Sequence, residues 1–329
     1  MIRIIFDWPC SHGSVCSDMF IVEMKKHGKD LIVDGARRAK PRVLFWLLLA
    51  IRTIFKSKKE DIIVTWLDTL GVFCYWVGKL TNRKRKILAL NILLKEKTTF
   101  KNRLWKTLYN IAIDDYNFYF TYTSKWQKWN TYPRAFYLQD TYVDRDALFV
   151  TYKDCGKTVF VGGWNGRDWP LAIQVAKRLP SADFYFVCPP MVEKLLEDKT
   201  NNIHVGYALP RKEYLKTLAE CSIVFLPLDT NAPAGLIVLY EAAMKCKALV
   251  MTENDVSKDY LVNQSLGLLV TKNDVDDAVE KLETLLDNEQ KRESMSKELQ
   301  SYIMEIGSFP NYCKTLNGIL DIVIQKELV

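Results

Sequence analysis

Hydrophobic and polar positions fall into blocks along this chain. Short apolar runs bounded by polar residues predict strands at 3–6, 61–65, 86–91 and 117–121. Apolar residues three and four apart predict helices near 14–27, 42–56, 69–80 and 98–112. The second half repeats the pattern. Strands are predicted at 158–161, 183–187, 203–205, 223–227 and 248–252. Helices fall between them at 170–178, 191–198, 211–220 and 235–245, with more at 274–287 and beyond. Strands alternating with helices imply α/β architecture: parallel sheets with helices on both faces.

The length, 329 residues, suits two domains of this kind. Polar residues crowd 140–157, and Gly156 precedes a fresh strand. The expected division is 1–150 and 151–309, with a helix over 310–329 that packs back on the first domain. The longest apolar run, 43–51, stops at Arg52. A bilayer needs about 20 such residues, so no spanning helix is expected. The opening residues run directly into a strand, and no secretory signal is expected there.

Charge divides the halves. Residues 1–150 carry +12 and residues 151–329 carry −5, within a total of +7. Eight cysteines show no CxxC pair, and Cys188, Cys221 and Cys246 lie in apolar segments, as buried free thiols do in a reducing cytoplasm.

The segment 224–244 carries the most chemistry. An apolar strand ends at Pro227, a loop of small residues follows through Ala234 and Gly235, and a helix opening at Leu236 carries Glu241. Small residues let a ligand approach the backbone. The free N–H groups of a helix start favour an anion such as a diphosphate. An ordinary strand-to-helix turn with a solvated Glu is the plain alternative. Arg167 follows the glycines of 162–166 and precedes a helix near Trp169-Pro170. A guanidinium there can grip two phosphate oxygens; a surface Arg paired with Asp168 is the alternative.

The series of strand, Pro227, small-residue loop, Glu241-Ala242-Ala243-Met244 helix, strand 248–252 and Gly267-Leu268-Leu269-Val270 resembles the donor-binding segment of retaining family 4 glycosyltransferases of the GT-B fold. The resemblance covers about 158–290 in motif and the first half in layout. It implies two Rossmann-like, doubly wound domains facing across a cleft. It assigns Glu241 to the nucleotide ribose and Ala234, Gly235, Leu236, Gly163 and Tyr207 to the donor. Two family features are missing. The first Glu of the Glu-x7-Glu pattern is Pro233 here, and Gly163 stands where the family has an Arg. Arg167 falls near the family's Lys, and Arg178 or Arg211 could supply a second cation.

The first half is less informative. Gly13 follows the first strand, at the carboxyl end where such sheets bind ligands. His12 between Cys10 and Cys16 has too loose a spacing for a metal site. Asn91 stands where the family places a His, and it either bonds a sugar hydroxyl or caps the strand. Asp144-Arg145-Asp146 reads as solvated charge. The run Arg83-Lys84-Arg85-Lys86 and the amphipathic stretch 100–111, with Trp105 among lysines, suit an anionic membrane surface; a domain helix with its apolar face in the core and its lysines in water is the alternative for that stretch. No nucleic-acid module appears.

The reading that follows is a cytoplasmic glycosyltransferase, peripheral at the inner membrane face. It would transfer a hexose with retention from a nucleotide sugar to a saccharide or lipid-linked acceptor, for surface polysaccharide assembly. Arg167 and Asn91 are its expected catalytic residues, and no metal or other cofactor is expected. A nucleotide-sugar epimerase and a non-catalytic nucleotide-sugar-binding subunit remain the alternatives.

Overall fold

The computed structural model describes residues 1–7, 17–36, 41–92, 100–142, 149–231 and 233–328. The chain forms two compact units: Met1–Val143 with Phe309–Val329, and Asp144–Ser308.

The first unit runs β1 (Ile2–Phe6), α1 (Ser17–Lys26), β2 (Leu31–Gly35), α2 (Arg42–Lys56), β3 (Ile62–Thr65), α3 (Asp68–Leu80), β4 (Lys86–Ala89), α4 (Phe100–Asp114), β5 (Phe118–Tyr122) and β6 (Ala135–Tyr137). All its strand pairs are parallel, in the order β2-β1-β3-β4-β5-β6. β1, β3 and β5 are buried along their whole length, as parallel strands covered on both faces must be. Helices α2, α3 and α4 share one core with Ile63, Ile87 and Phe118.

The second unit runs β7 (Thr158–Gly162), α5 (Trp169–Arg178), β8 (Asp183–Cys188), a 3₁₀ turn (Pro190–Leu196), β9 (Ile203–Tyr207), α6 (Arg211–Ala219), β10 (Ile223–Leu226), α7 (Leu236–Met244), β11 (Ala248–Thr252), α8 (Asp255–Tyr260), β12 (Leu268–Val270), α9 (Val275–Leu286) and α10 (Glu289–Ile306). Its sheet is ordered β12-β11-β10-β7-β8-β9, again all parallel. That is the doubly wound Rossmann order, with the winding reversing between β7 and β10. The last helix, α11 (Phe309–Gln325), puts Phe309, Tyr312, Leu316 and Leu320 into the core of the first unit with Ile4, Phe20 and Val64.

Two Rossmann-like units on parallel six-stranded sheets are the fold the sequence pattern implies. The differences lie at edges. The pattern predicts four strands before residue 150 and five after it; the structure adds β2, β6 and β12. β2 and β6 are half-buried throughout and β6 is three residues long, so neither makes a strong apolar run. The predicted helix over 191–198 is a 3₁₀ turn behind Pro189 and Pro190.

The basic run also reads differently in three dimensions. Arg83 and Lys84 are exposed, but Arg85 is buried and donates to the carbonyl and hydroxyl of Ser57 at 2.9 and 3.0 Å. Lys86 donates to the carbonyls of Val323 and Ile324 at the end of α11. Half of the run therefore holds the first unit together.

In the second unit, Asp154 anchors the approach to β7. Its carboxylate accepts from Nη2 and Nε of Arg292 at 2.7 and 3.2 Å, while Nη1 of the buried Arg292 donates to the carbonyls of Leu285 and Leu286. Burial pushes the Asp154 carboxyl up, but bonds from Arg292, the Gly156 N–H and Ser222 outweigh it and hold the pKa below the ordinary value. This stabilisation is present above the unfolded-state pKa, about 3.9, and is lost as pH falls through the lower native value. Asp154→Asn leaves Arg292 buried without its counter-charge, and should cost about 2–3 kcal/mol at pH 7. Urea unfolding across pH checks this: the variant should be less stable at pH 7 and should lose less stability than wild type between about pH 4 and 2.

Candidate functional site

Open α/β sheets bind ligands beyond the carboxyl ends of their strands, where the winding reverses. In the second unit that point lies between β7 and β10, and two loops meet there. The loop after β7 contacts the loop after β10 through the Asp168 N–H on Pro227 O (3.0 Å) and the Asp229 N–H on Gly166 O (3.1 Å). Arg167 and Leu228 form an antiparallel bridge between them. The Leu228 N–H donates to Thr252 Oγ1 at 2.9 Å, tying the second loop to β11.

Arg167 lies in this junction, only 7% exposed. Its Nε donates to Gly162 O at 2.7 Å and its Nη1 to Asn165 O at 3.0 Å. Asp168 is not its partner, because Asp168 caps α5 by accepting from the Leu171 N–H at 3.0 Å. Burial lowers the Arg167 pKa, while Tyr214, Glu241 and Asp229 oppose that shift. A guanidinium stays charged at such sites.

Gly163 explains how the arginine fits. Its φ is +119°, and a Cβ there would stand 2.4–2.8 Å from Nη2, Cζ and Nε of Arg167. Gly163 therefore yields the space its side chain would fill to the guanidinium of Arg167.

Glu241 lies in the second turn of α7 with its side chain 2% exposed. It pairs with the Arg211 guanidinium from the first turn of α6. Tyr214, one turn on, bonds to Glu241; burial first, then the Glu241 charge and that hydrogen bond, raise its hydroxyl well above the ordinary value. The Arg211 guanidinium also lies 5.6 Å from the Tyr214 ring centroid. α7 opens at Gly235, whose φ of +86° is the left-handed conformation that glycine adopts without strain. No side chain caps that end, so the amides at the start of α7 present an anion-binding helix terminus.

The fold thus gathers Arg167, Gly163, Glu241, Gly235 and Leu236 of the predicted residues around the β7 and β10 ends, with Ala234 in the loop before α7. Arg211 joins them, and Tyr214 is the residue the sequence reading missed. Its signal was the Arg211-x-x-Tyr214 spacing, which places both side chains on one face of a helix start. Arg178 does not join: it pairs with Asp276 at the surface. Tyr207 ends β9 at the sheet edge, where burial first, then Cys188 and Glu193, raise its hydroxyl above the ordinary value. Asn91 belongs to the first unit, just past β4, with φ +55° and its N–H on Thr121 Oγ1 at 2.9 Å. Its buried Oδ1 has no hydrogen-bond partner among the described residues. Gly13, His12, Cys10, Cys16 and Asp144-Arg145-Asp146 lie outside the described residues. Among the described residues no group of His, Cys, Asp or Glu is arranged to hold a metal ion.

The packing of Gly163 makes a stability prediction. Gly163→Ala should cost about 1–3 kcal/mol, from strained backbone and a displaced guanidinium. Gly156→Ala is the control: φ is +71° but nothing lies within 4 Å of the added Cβ. Thermal unfolding should show Gly163→Ala as the more destabilising of the two; equal losses would mean that Arg167 yields freely.

Residues 191–301 match the family described as Glycosyl transferases group 1. A comparison with curated proteins by sequence finds no match. Among solved structures the chain is similar to HepE of Anabaena in complex with UDP-glucose, at 12% identity and TM-score 0.72, covering 98% of this chain and 99% of that one. It is also similar to sucrose-phosphate synthase from Thermosynechococcus elongatus, at 11% identity and TM-score 0.76 over 98% and 99%. A third is WaaG, a glycosyltransferase involved in lipopolysaccharide biosynthesis, at 12% identity and TM-score 0.67 over 99% and 100%. At these identities the structural likeness establishes the fold, and the family match covers the segment that holds Arg211, Tyr214, Gly235 and Glu241. The chain thus carries a segment of the glycosyl transferase group 1 family on a GT-B fold like that of these glycosyltransferases.

Proposed function

We propose that the chain transfers a sugar, with retention, from a nucleoside diphosphate sugar to a saccharide or lipid-linked saccharide at the cytoplasmic face of an anionic membrane. The observation that carries the donor half of this reading is the buried Arg167 beside Glu241, at the point where the sheet winding reverses. Glu241 accepts from the ribose hydroxyls. The N–H groups at the start of α7 and the Arg167 guanidinium neutralise the diphosphate.

Breaking the glycosidic bond leaves more negative charge on the diphosphate than the bound donor carries. A cation already fixed beside it stabilises the transition state more than the ground state. Arg167 is fixed by two carbonyl bonds, so it needs little reorganisation as that charge develops. Arg211 is the second cation within reach of Glu241, and it stands in for the arginine that Gly163 replaces. Protein groups fill the charge role, so the reading assigns no metal. The epimerase alternative wants a His beside carboxylates. His204 has such a partner in Asp183 at 2.8 Å, but the pair is exposed at the amino ends of β8 and β9, away from the β7 and β10 carboxyl ends.

Two measurements test the proposal. Calorimetry with UDP, GDP, ADP and dTDP should show one clear preference. Glu241→Gln should weaken that nucleotide about 10- to 150-fold, the worth of a hydrogen bond to a charged group, in a protein that still folds. Unchanged affinity would remove Glu241 from the site. In transfer and hydrolysis assays with the matching nucleotide sugars, Arg167→Ala should lower kcat about 10²- to 10³-fold. Arg167→Lys should recover part of that loss, since it restores the charge without the fork. Nucleotide binding with no turnover of any sugar donor would favour the non-catalytic alternative.

A further inference from the structure

Helix α2 has two apolar faces. One packs Leu49, Ala50 and Ile54 into the core of the first unit. The other carries Leu44, Leu48, Ile51 and Phe55, spaced four, three and four apart, which places them on a single stripe. They are 50%, 57%, 38% and 52% exposed. Exposed apolar residues are normally scattered singly; a continuous line of large ones marks a binding surface.

The charge around the stripe is of one sign. α2 contains no acidic residue, and its Arg42, Arg52 and Lys56 are exposed. The Arg83 guanidinium lies 4.6 Å from the Phe55 ring centroid, and Lys58, Lys59 and Lys84 are also exposed at that end. Glu60 is the exposed acid nearby, while Asp61 is buried beside the N-terminal amine. An apolar stripe between cations is what a helix lying in the plane of an anionic bilayer needs. A second copy of the chain fits less well. A two-fold contact made by this face would lay the cations of one copy, Arg52, Lys56 and Arg83, against the same set in the other.

We infer that the outer face of α2 is where the protein enters an anionic bilayer surface. Leu44, Leu48, Ile51 and Phe55 reach the acyl boundary, and Arg52, Lys56, Arg83 and Lys84 sit among the headgroups. This rests on the membrane partner proposed above and narrows it from the whole basic half to one helix face.

Co-sedimentation of the full chain with vesicles tests it, using phosphatidylcholine alone and with one-third phosphatidylglycerol at low salt. Wild type should bind the anionic vesicles and release them as salt rises. Arg52→Ala with Lys56→Ala should weaken binding about fivefold per cation. Leu44→Ser with Leu48→Ser should weaken it about tenfold or more while nucleotide affinity by calorimetry stays unchanged. Leu48→Ser alone serves should the double variant unfold. Wild-type binding that the leucine changes leave intact overturns this face but not the membrane partner. Wild type that ignores anionic vesicles overturns both, and neither outcome touches the donor site. A wild-type dimer dissociated by the leucine changes also overturns the inference and gives the face to a second copy.

Discussion

A guanidinium that is almost out of contact with water must be compensated, because moving a charge from water to the interior costs far more than any single surface contact returns. Arg167 meets that requirement with the carbonyls of Gly162 and Asn165 and with the nearby Glu241 and Asp229. Much of the local architecture follows from it. The residue just after β7, Gly163, must be a glycine that leaves room for the side chain. The loops after β7 and β10 must lock together to close the junction. Glu241, also buried, must in turn be balanced, and Arg211 and Tyr214 reach it from the start of α6.

The same arrangement makes the site suited to an anion. Its cations are held by backbone carbonyls and an ion pair, and its amide donors belong to the uncapped start of α7. Such groups are already oriented before a ligand arrives, which is where electrostatic stabilisation is most effective. The cluster is also a small network whose members neutralise one another, so changes at two of them should not simply add.

The two units use charge differently. In the second, Arg167 and Glu241 are buried, the first held by carbonyls and the second paired with the more exposed Arg211. In the first, some cations are structural, as with Arg85 and Lys86, and others stand in the open beside the apolar face of α2. Net charge of +12 over residues 1–150 therefore has two origins, and composition does not separate them.

What the sequence determined by itself is the succession of elements and the segment that carries the candidate site. Strands buried on both faces must be apolar along their length, so β1, β3, β5 and β10 are legible as runs. The edge strands β2 and β6 are half-buried and carry no such mark. The small-residue loop and Glu241 were legible because their chemistry is local, a turn and the helix it opens. The pairing of Glu241 with Arg211, thirty positions apart, was decided by the parallel crossovers that bring α6 beside α7. The same holds for α2. Its sequence is apolar nearly all round, and periodicity alone does not say which apolar side meets the core. Only packing against α3 and the sheet turned Leu49 and Ile54 inward and left Leu44, Leu48 and Phe55 in water.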